Sequence, residues 1–251
     1  MSGHSKWSTI KRKKGKADAA KGAVFTKLTK EIIVAAKAGG GNPDGNFRLR
    51  IAIANAKSAN MPNENIKRAI DKGAGGAEGA NYEELTYEGY GPGGTAVIVK
   101  AMTDNRNRTA SEIRHIFAKN GGNMGETGCV GWMFKEKGMR TIEREGCKFN
   151  PDDLMLMALD LGAEDIQEEQ YTIEITTPPE AFQAVKEGME KEGVVFSENE
   201  VTMIPDTSVV VTDIEQAKFV LRMMDALDEH DDVQNTYTNF DIPEEIADRL
   251  G

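Results

Sequence analysis

The sequence predicts an α+β chain: an N-terminal three-helix domain, then two ferredoxin-like α/β domains, one inserted in the other. Three observations predict it. Apolar residues recur at helical spacing from Val24 to Ile70, broken by Gly- and Pro-rich turns. Residues 139–204 alternate strand-like and helix-like stretches in the order βαββαβ, the ferredoxin-like plan. A last pair, helix Ile214–Leu227 and strand Val233–Phe240, has no partners of its own, so it completes the interrupted β-α-β unit of residues 95–135. The domains expected are 1–80, 81–137 with 206–251, and 138–205.

Residues 1–16 show no apolar periodicity and read as a basic arm that orders on a partner. From Ala17 the pattern turns helical, with Val24, Phe25, Leu28, Ile32 and Ala35 or Ala36 on one face. Gly39-Gly40-Gly41-Asn42-Pro43 must end that helix. A second helix runs from about Gly45 to Asn60, with Leu49, Ala52, Ile53 and Ala56 inward and Arg48, Arg50 and Lys57 outward. A third, opened by Pro62 or Asn63, buries Ile66, Ala69 and Ile70 and takes Gly73 as its C′ residue. Ala74–Asn81 is a linker of small and polar residues.

Gly89, Gly91 and Gly94 satisfy a G-x-G-x-x-G spacing, but that fingerprint must follow a strand and open a helix. Here the glycines precede the strand Thr95–Thr103 and enclose Pro92, so they read as a turn feeding it. Asp104–Arg108 reads as a polar loop, followed by a helix from Thr109 or Ser111 to Lys119 and a strand over Val130–Phe134. The inserted set comprises strand Met139–Glu143, helix Asp152–Leu161, strands Glu164–Glu168 and Tyr171–Thr176, helix Pro179–Glu192 and strand Glu200–Ile204. Met155, Met157, Met189, Met223 and Met224 sit at helical spacings and read as core filler. The tail, IPEEIADRLG, is a short acidic helix or a frayed end.

Charge is distributed unevenly. Residues 1–80 hold 16 Lys/Arg against 6 Asp/Glu, a net of +10, while residues 81–251 hold 15 against 35, a net of −20. A basic module on a chain of pI near 5.0 points to a polyanion partner. The candidate phosphate contacts are Lys6, Lys11, Arg12, Lys13, Lys14, Lys16, Lys21, Lys27 and Lys30, with Arg48, Arg50 and Lys57 on the second helix. Trp7 either stacks on an unpaired base or anchors the arm on the helices. Arg106 and Arg108 alternate with Asn, so that both fall on one edge as a second contact; otherwise they pair with nearby acids. A basic arm reads phosphate and does not separate DNA from RNA.

Catalysis finds little support. His4, His115 and His230 are far apart and lack metal-ligand spacing, and no G-x-S-x-G, Gly-Lys-Ser/Thr or H-E-x-x-H pattern occurs. Asp225, Asp228, Glu229, Asp231 and Asp232 form an acidic cluster whose sharper reading is Mg²⁺ for a nuclease and whose plainer reading is a solvated helix end. No catalytic residue, metal ligand or cofactor is expected. Cys129 and Cys147 have no partner pattern and suit a reducing cytoplasm. No apolar run approaches the ~18 residues of a membrane span, and MSGHSKW has no secretory h-region. The absence of a heptad seam favours a monomer.

Several stretches together resemble the YebC/PmpR family. They are GHSKWSTIKRKKGKADAAKGAVFTKLTKEI at 3–32, SANMPNENIKRAIDKG at 58–73, YEGYGPGGTAVIVKAMTDNRNRT at 87–109, GGNMGETGCVGWMF at 121–134 and DALDEHDDVQNTYTNFDIP at 225–243. The resemblance implies a helical N-terminal domain followed by two α/β domains, one inserted in the other. It implies a cytoplasmic, DNA-binding transcriptional regulator. The family also includes a mitochondrial translational activator and members linked to ribosomes, so ribosomal or transfer RNA, the ribosome or another protein are the alternative partners. Gly22-Ala23-Val24 is neutral where members of the family carry further basic residues.

Overall fold

The computed structural model describes residues 20–75, 81–169, 171–247 and 249–250, with side-chain surroundings from Gly22 onward. The arm cations Lys6, Lys11, Arg12, Lys13, Lys14 and Lys16, together with Trp7 and the side chain of Lys21, lie outside the described residues. The chain forms an α+β fold of N-terminal helices followed by antiparallel sheets. It divides into two compact units, one of residues 132–207 and one of the described residues on either side of them.

The helical module holds α1 (Ala20–Gly39), α2 (Phe47–Ser58) and α3 (Asn63–Ala74). Ile32, Ile33, Leu49, Ala52 and Ile66 form its core. Asn46 joins two helix ends. Its Nδ2 donates to the carbonyls of Ala35 (2.7 Å) and Gly40 (2.9 Å) at the end of α1. Its Oδ1 accepts from the Leu49 amide (3.0 Å) at the start of α2, so one side chain caps α2 and ties it to the end of α1. Gly73 is not the C′ residue expected. It lies inside α3, buried, where a Cβ would run into the backbone of Ile33. Its smallness sets the approach of α1 and α3 rather than ending a helix.

In the same unit, β1 (Glu83–Tyr90), β2 (Ala96–Thr103), β3 (Asn123–Met124) and β9 (Val233–Thr238) form an antiparallel sheet in the order β3-β1-β2-β9. Helices α4 (Arg106–Lys119) and α7 (Ile214–Asp228) pack Ile113, Phe117, Met223 and Leu227 against Val97, Val99 and Ala101. These are the parts of a ferredoxin-like layer, with the β1–β2 hairpin at the centre. Two differences from expectation concern this sheet. Glu83–Tyr90, which takes in Gly89, is a strand; the glycines after it make the turn expected, with Gly93 and Gly94 at φ of +72° and +75°. Val130–Phe134 is not one strand: Gly131–Met133 turns, and Asn123–Met124 supplies the edge strand instead. A short parallel pair, β8 (Val209–Val210) with β10 (Phe240–Asp241), and α8 (Glu244–Ala247) complete the unit.

The unit of residues 132–207 contains β4 (Phe134–Glu143), α5 (Pro151–Asp160), β5 (Asp165–Glu168), β6 (Thr172–Thr177), α6 (Phe182–Lys191) and β7 (Glu198–Pro205). Its antiparallel order β5-β6-β4-β7 is that of a ferredoxin-like sheet. Asn150 caps α5 by accepting from the Asp152 amide, and Pro151 takes the first helical position. The core is Ile142, Leu154, Ile173, Ile175, Val185 and Met189. Of the methionines read as core, Met189, Met223 and Met224 are fully buried, whereas Met155 is exposed.

Candidate nucleic-acid interface

Among the described residues, the predicted cations divide into those engaged internally and those left at the surface. Helix α7 ends at Asp228, and its last carbonyls form the negative end of a helix dipole. Two lysines of α1 meet that end. Lys27 Nζ donates to the Asp228 carbonyl (2.7 Å) and Lys30 Nζ to the Asp231 carbonyl (2.8 Å). Lys30 also pairs with Asp232 Oδ1 at 2.5 Å and is 6% exposed. The other carboxylate oxygen of Asp232 accepts from Arg108 (2.8 Å) and Thr109 (2.6 Å). Burial pushes the Asp232 carboxyl up, but the donors Lys30, Thr109 and Arg108 outweigh it and hold the group well below the usual carboxylate range. Lys30 is therefore a buried anchor and not a phosphate contact.

Arg108 is likewise spent, on Asp232 and on Asp104 at 3.1 Å. The expectation that Arg106 and Arg108 share an edge fails because both lie in the first turn of α4, capped by Asn105, and not in a loop. Residues two apart on a helix point to different sides. Thr109 is not a cap either; its hydroxyl is buried between Thr103 and Asp232. Arg48 is the fourth cation engaged internally, after Lys27, Lys30 and Arg108. Its Nε meets Glu31 at 2.9 Å, and its two terminal nitrogens meet the Glu84 oxygens at 3.0 and 2.6 Å. The Glu84 pair raises the guanidinium above its ordinary value, burial opposes this, and Glu31 adds to the rise. Arg48 thus ties α1 and α2 to β1.

What remains is a distinct set. Arg50 and Lys57 of α2, and Lys67 and Lys72 of α3, are exposed and make no ion pair among the described residues. Lys67 and Lys72 were not among the predicted contacts; their signal was available, since they fall off the Ile66–Ala69–Ile70 stripe. Arg106 is also exposed, and its carbonyl accepts from the Tyr87 hydroxyl. Phe47, the first residue of α2, is 70% exposed, and the Arg50 guanidinium lies 5.8 Å from its ring centre.

The acidic cluster after α7 is not a uniformly solvated helix end. Asp232 is 4% exposed and saturated by donors. Ligand-type atoms of Glu112, His230 and Asp232 lie within 4.8 Å of one another, but their bonding does not suit a metal. The Asp232 amide donates to His230 Nδ1 (3.1 Å), which places the ring proton on Nε2, facing Glu112 Oε2 at 2.9 Å. A metal on Nε2 would have to displace that proton while Nδ1 already serves as acceptor. The trio is a hydrogen-bond network.

A second buried acid organises the loop before residue 132. Glu88 accepts from the amides of Gly128 (2.8 Å), Val130 (2.9 Å) and Gly131 (2.6 Å). Burial pushes its carboxyl up, and the three amides bring it below the ordinary value. In the same loop, burial and then Glu88 push the Cys129 thiol up, the opposite of what a nucleophile needs.

Helices first and antiparallel sheets after, with the clustered titratable groups engaged with one another, define an α+β protein built on two antiparallel four-stranded sheets. The chain belongs to the TACO1/YebC family: residues 5–76 match the family's N-terminal domain and residues 82–240 its second and third domains. A relative from Pelotomaculum thermopropionicum is 59% identical over 242 residues, covering 96% of this chain and 99% of its own. One from Desulfitobacterium hafniense is 56% identical over 246 residues, covering 98% of each. Both are named "Probable transcriptional regulatory protein". The crystal structure of a conserved hypothetical protein from Aquifex aeolicus is 50% identical, with a TM-score of 0.80 over 91% of this chain and 93% of that one. Among the described residues, no helix is long and apolar enough to cross a membrane.

Proposed function

We propose that the chain is a non-enzymatic, cytoplasmic transcriptional regulator that binds DNA through its basic N-terminal module. The charge asymmetry carries this reading: +10 over residues 1–80 against −20 over the rest. Internal bonding removes Lys27, Lys30, Arg48 and Arg108 from the contact set, and the surface cations Arg50, Lys57, Lys67, Lys72 and Arg106 join the arm residues Lys6, Trp7, Lys11, Arg12, Lys13, Lys14, Lys16 and Lys21 in it. Domains are assigned at 1–80, 81–137 with 206–251, and 138–205, the first touching phosphate and the others contacting protein. The protein acts as a monomer without metal or cofactor.

The test is duplex-DNA affinity against salt. Neutralising about six phosphates makes affinity fall roughly a thousandfold or more between 50 and 200 mM salt. Replacing Lys11, Arg12, Lys13 and Lys14 by Gln should flatten the log–log slope by about 3–4. A wild-type slope near zero refutes the proposal. A second reading, a translation factor on ribosomal or transfer RNA, is favoured by Phe47, since an exposed ring beside Arg50 suits stacking on an unpaired base. Sedimentation of a DNase-treated lysate separates the two. Co-migration with ribosomal particles at low salt, lost in the four-Gln variant, establishes the second reading.

A further inference from the structure

We propose that the outer face of α5, in the unit of residues 132–207, is a docking surface for a basic amphipathic segment of a protein partner. The inward face of α5 closes the core with Leu154 and Ala158. Its outward face carries Met155, Leu156 and Leu159, all exposed, with Leu156 at 65%. Residues 155 and 159 are one turn apart and 156 and 159 are three apart, so the three side chains form a single apolar patch. The fold makes no use of this patch, and a helix facing only water would carry polar residues there.

The rim of the patch identifies its occupant. Asp152 and Asp153 flank it on one side and Asp160 on the other, all exposed and without an ion pair among the described residues. The first two sit where acids favour a helix dipole, but Asp160 is the last helical residue, where a cation would be favoured. Helix stability therefore does not explain it. The whole unit carries 18 Asp/Glu against 7 Lys/Arg, a net of −11. Four of those cations, Lys135, Lys137, Arg144 and Lys186, are neutralised in ion pairs, and Arg140 is fully buried. Such a surface repels nucleic acid and lipid headgroups. It complements a segment with apolar residues at helical spacing flanked by Lys and Arg.

The experiment uses the full chain and a fluorescent 14-residue peptide of Leu and Lys at helical spacing, with oligolysine of the same length as control. Binding is read by anisotropy at low salt. The amphipathic peptide should bind at least tenfold more tightly than oligolysine. Leu156→Ser with Leu159→Ser should weaken it tenfold or more, and Asp152→Asn, Asp153→Asn and Asp160→Asn together should weaken it and flatten its salt dependence. Both variants change exposed side chains, and unchanged melting curves confirm that they fold. Equal binding of oligolysine, or unchanged affinity in the Ser variant, overturns the proposal. So does a wild-type dimer that the Ser variant converts to monomer, because a second copy would then cover the face.

Discussion

Replacing Asp232 by Asn tests the anchor between α1 and the C-terminal end of α7. The wild-type carboxylate accepts from Lys30 at 2.5 Å, Thr109 at 2.6 Å and Arg108 at 2.8 Å while 4% exposed. Asn keeps one oxygen, turns an NH₂ toward one set of donors, and leaves the buried Lys30 without a counter-charge. Removing one partner of a buried pair costs about 3–5 kcal/mol. The oxygen retained and the half-exposed Arg108 put Asp232→Asn near the lower figure, about 3 kcal/mol. At about 2–4 °C per kcal/mol for a chain of this size, the melting midpoint should fall by roughly 6–12 °C. Circular dichroism melts of Asp232→Asn, Lys30→Met and the double variant give the pairwise term. The double variant should melt no lower than the worse single one. The sign with pH follows from the depressed carboxyl. Its stabilisation is complete above the unfolded carboxylate pKa of about 4 and is lost as pH falls through the lower folded value. The gap between wild type and Asp232→Asn should therefore be constant from about pH 5 to 8 and close under more acid conditions. An Asp232→Asn midpoint within about 2 °C of wild type, or losses that simply add, would refute the account.

Three further outcomes follow from buried groups. Glu88→Gln should cost about 1–3 kcal/mol and speed hydrogen exchange at Gly128, Val130 and Gly131, with the wild-type protection fading only in acid; unchanged exchange would show that the carboxylate does not hold the loop. Gly138→Ala should destabilise the unit of residues 132–207 by about 1–3 kcal/mol in a urea titration, because the new methyl meets Phe182 and Thr177. Arg140 lies fully buried over the Phe182 ring, with Nε and Nη1 unpartnered, and burial pushes it down to about 10. Arg140→Met should accordingly leave stability unchanged or raise it by about 1 kcal/mol or more; a large loss in the same titration would mean that ring stacking outweighs desolvation.

The helices were legible because their apolar stripes and their Gly and Pro breaks are local signals. The βαββαβ order of the inserted set was legible for the same reason. The strand Glu83–Tyr90 was not, since its Glu and Gly residues disfavour a strand and its stability comes from pairing with β2 and β3 on either side. The Val130–Phe134 stretch misled in the opposite direction. It is apolar enough for a strand, but Glu88, 42 residues before Val130, holds its amides in a turn. Among the candidate contacts, sequence identified cations but not their partners. Lys30 and Arg48 look like surface charges until Asp232, 202 residues away, and Glu84, 36 away, are placed beside them. The exposure of Phe47 has no sequence signature at all, because a Phe at the first position of a helix reads as core.

The Lys30–Asp232 pair also sets the order of events on the ribosome. At about 5–20 residues per second, roughly 10–40 s separate synthesis of its two halves. Over that interval the helical module has its own core but no anchor at Lys30, and β2 waits for β9. The unit of residues 132–207, by contrast, has its last strand in place by Pro205. The middle of the chain is therefore able to fold before its flanks close, and the N-terminal helices cannot reach their Asp232 anchor until that residue has been made. A nascent chain stalled before residue 228 would lack the carbonyls of Asp228 and Asp231 that Lys27 and Lys30 meet in the finished protein, and the Asp232 carboxylate that neutralises Lys30, so the unfinished helical module presents Lys30 without its counter-charge.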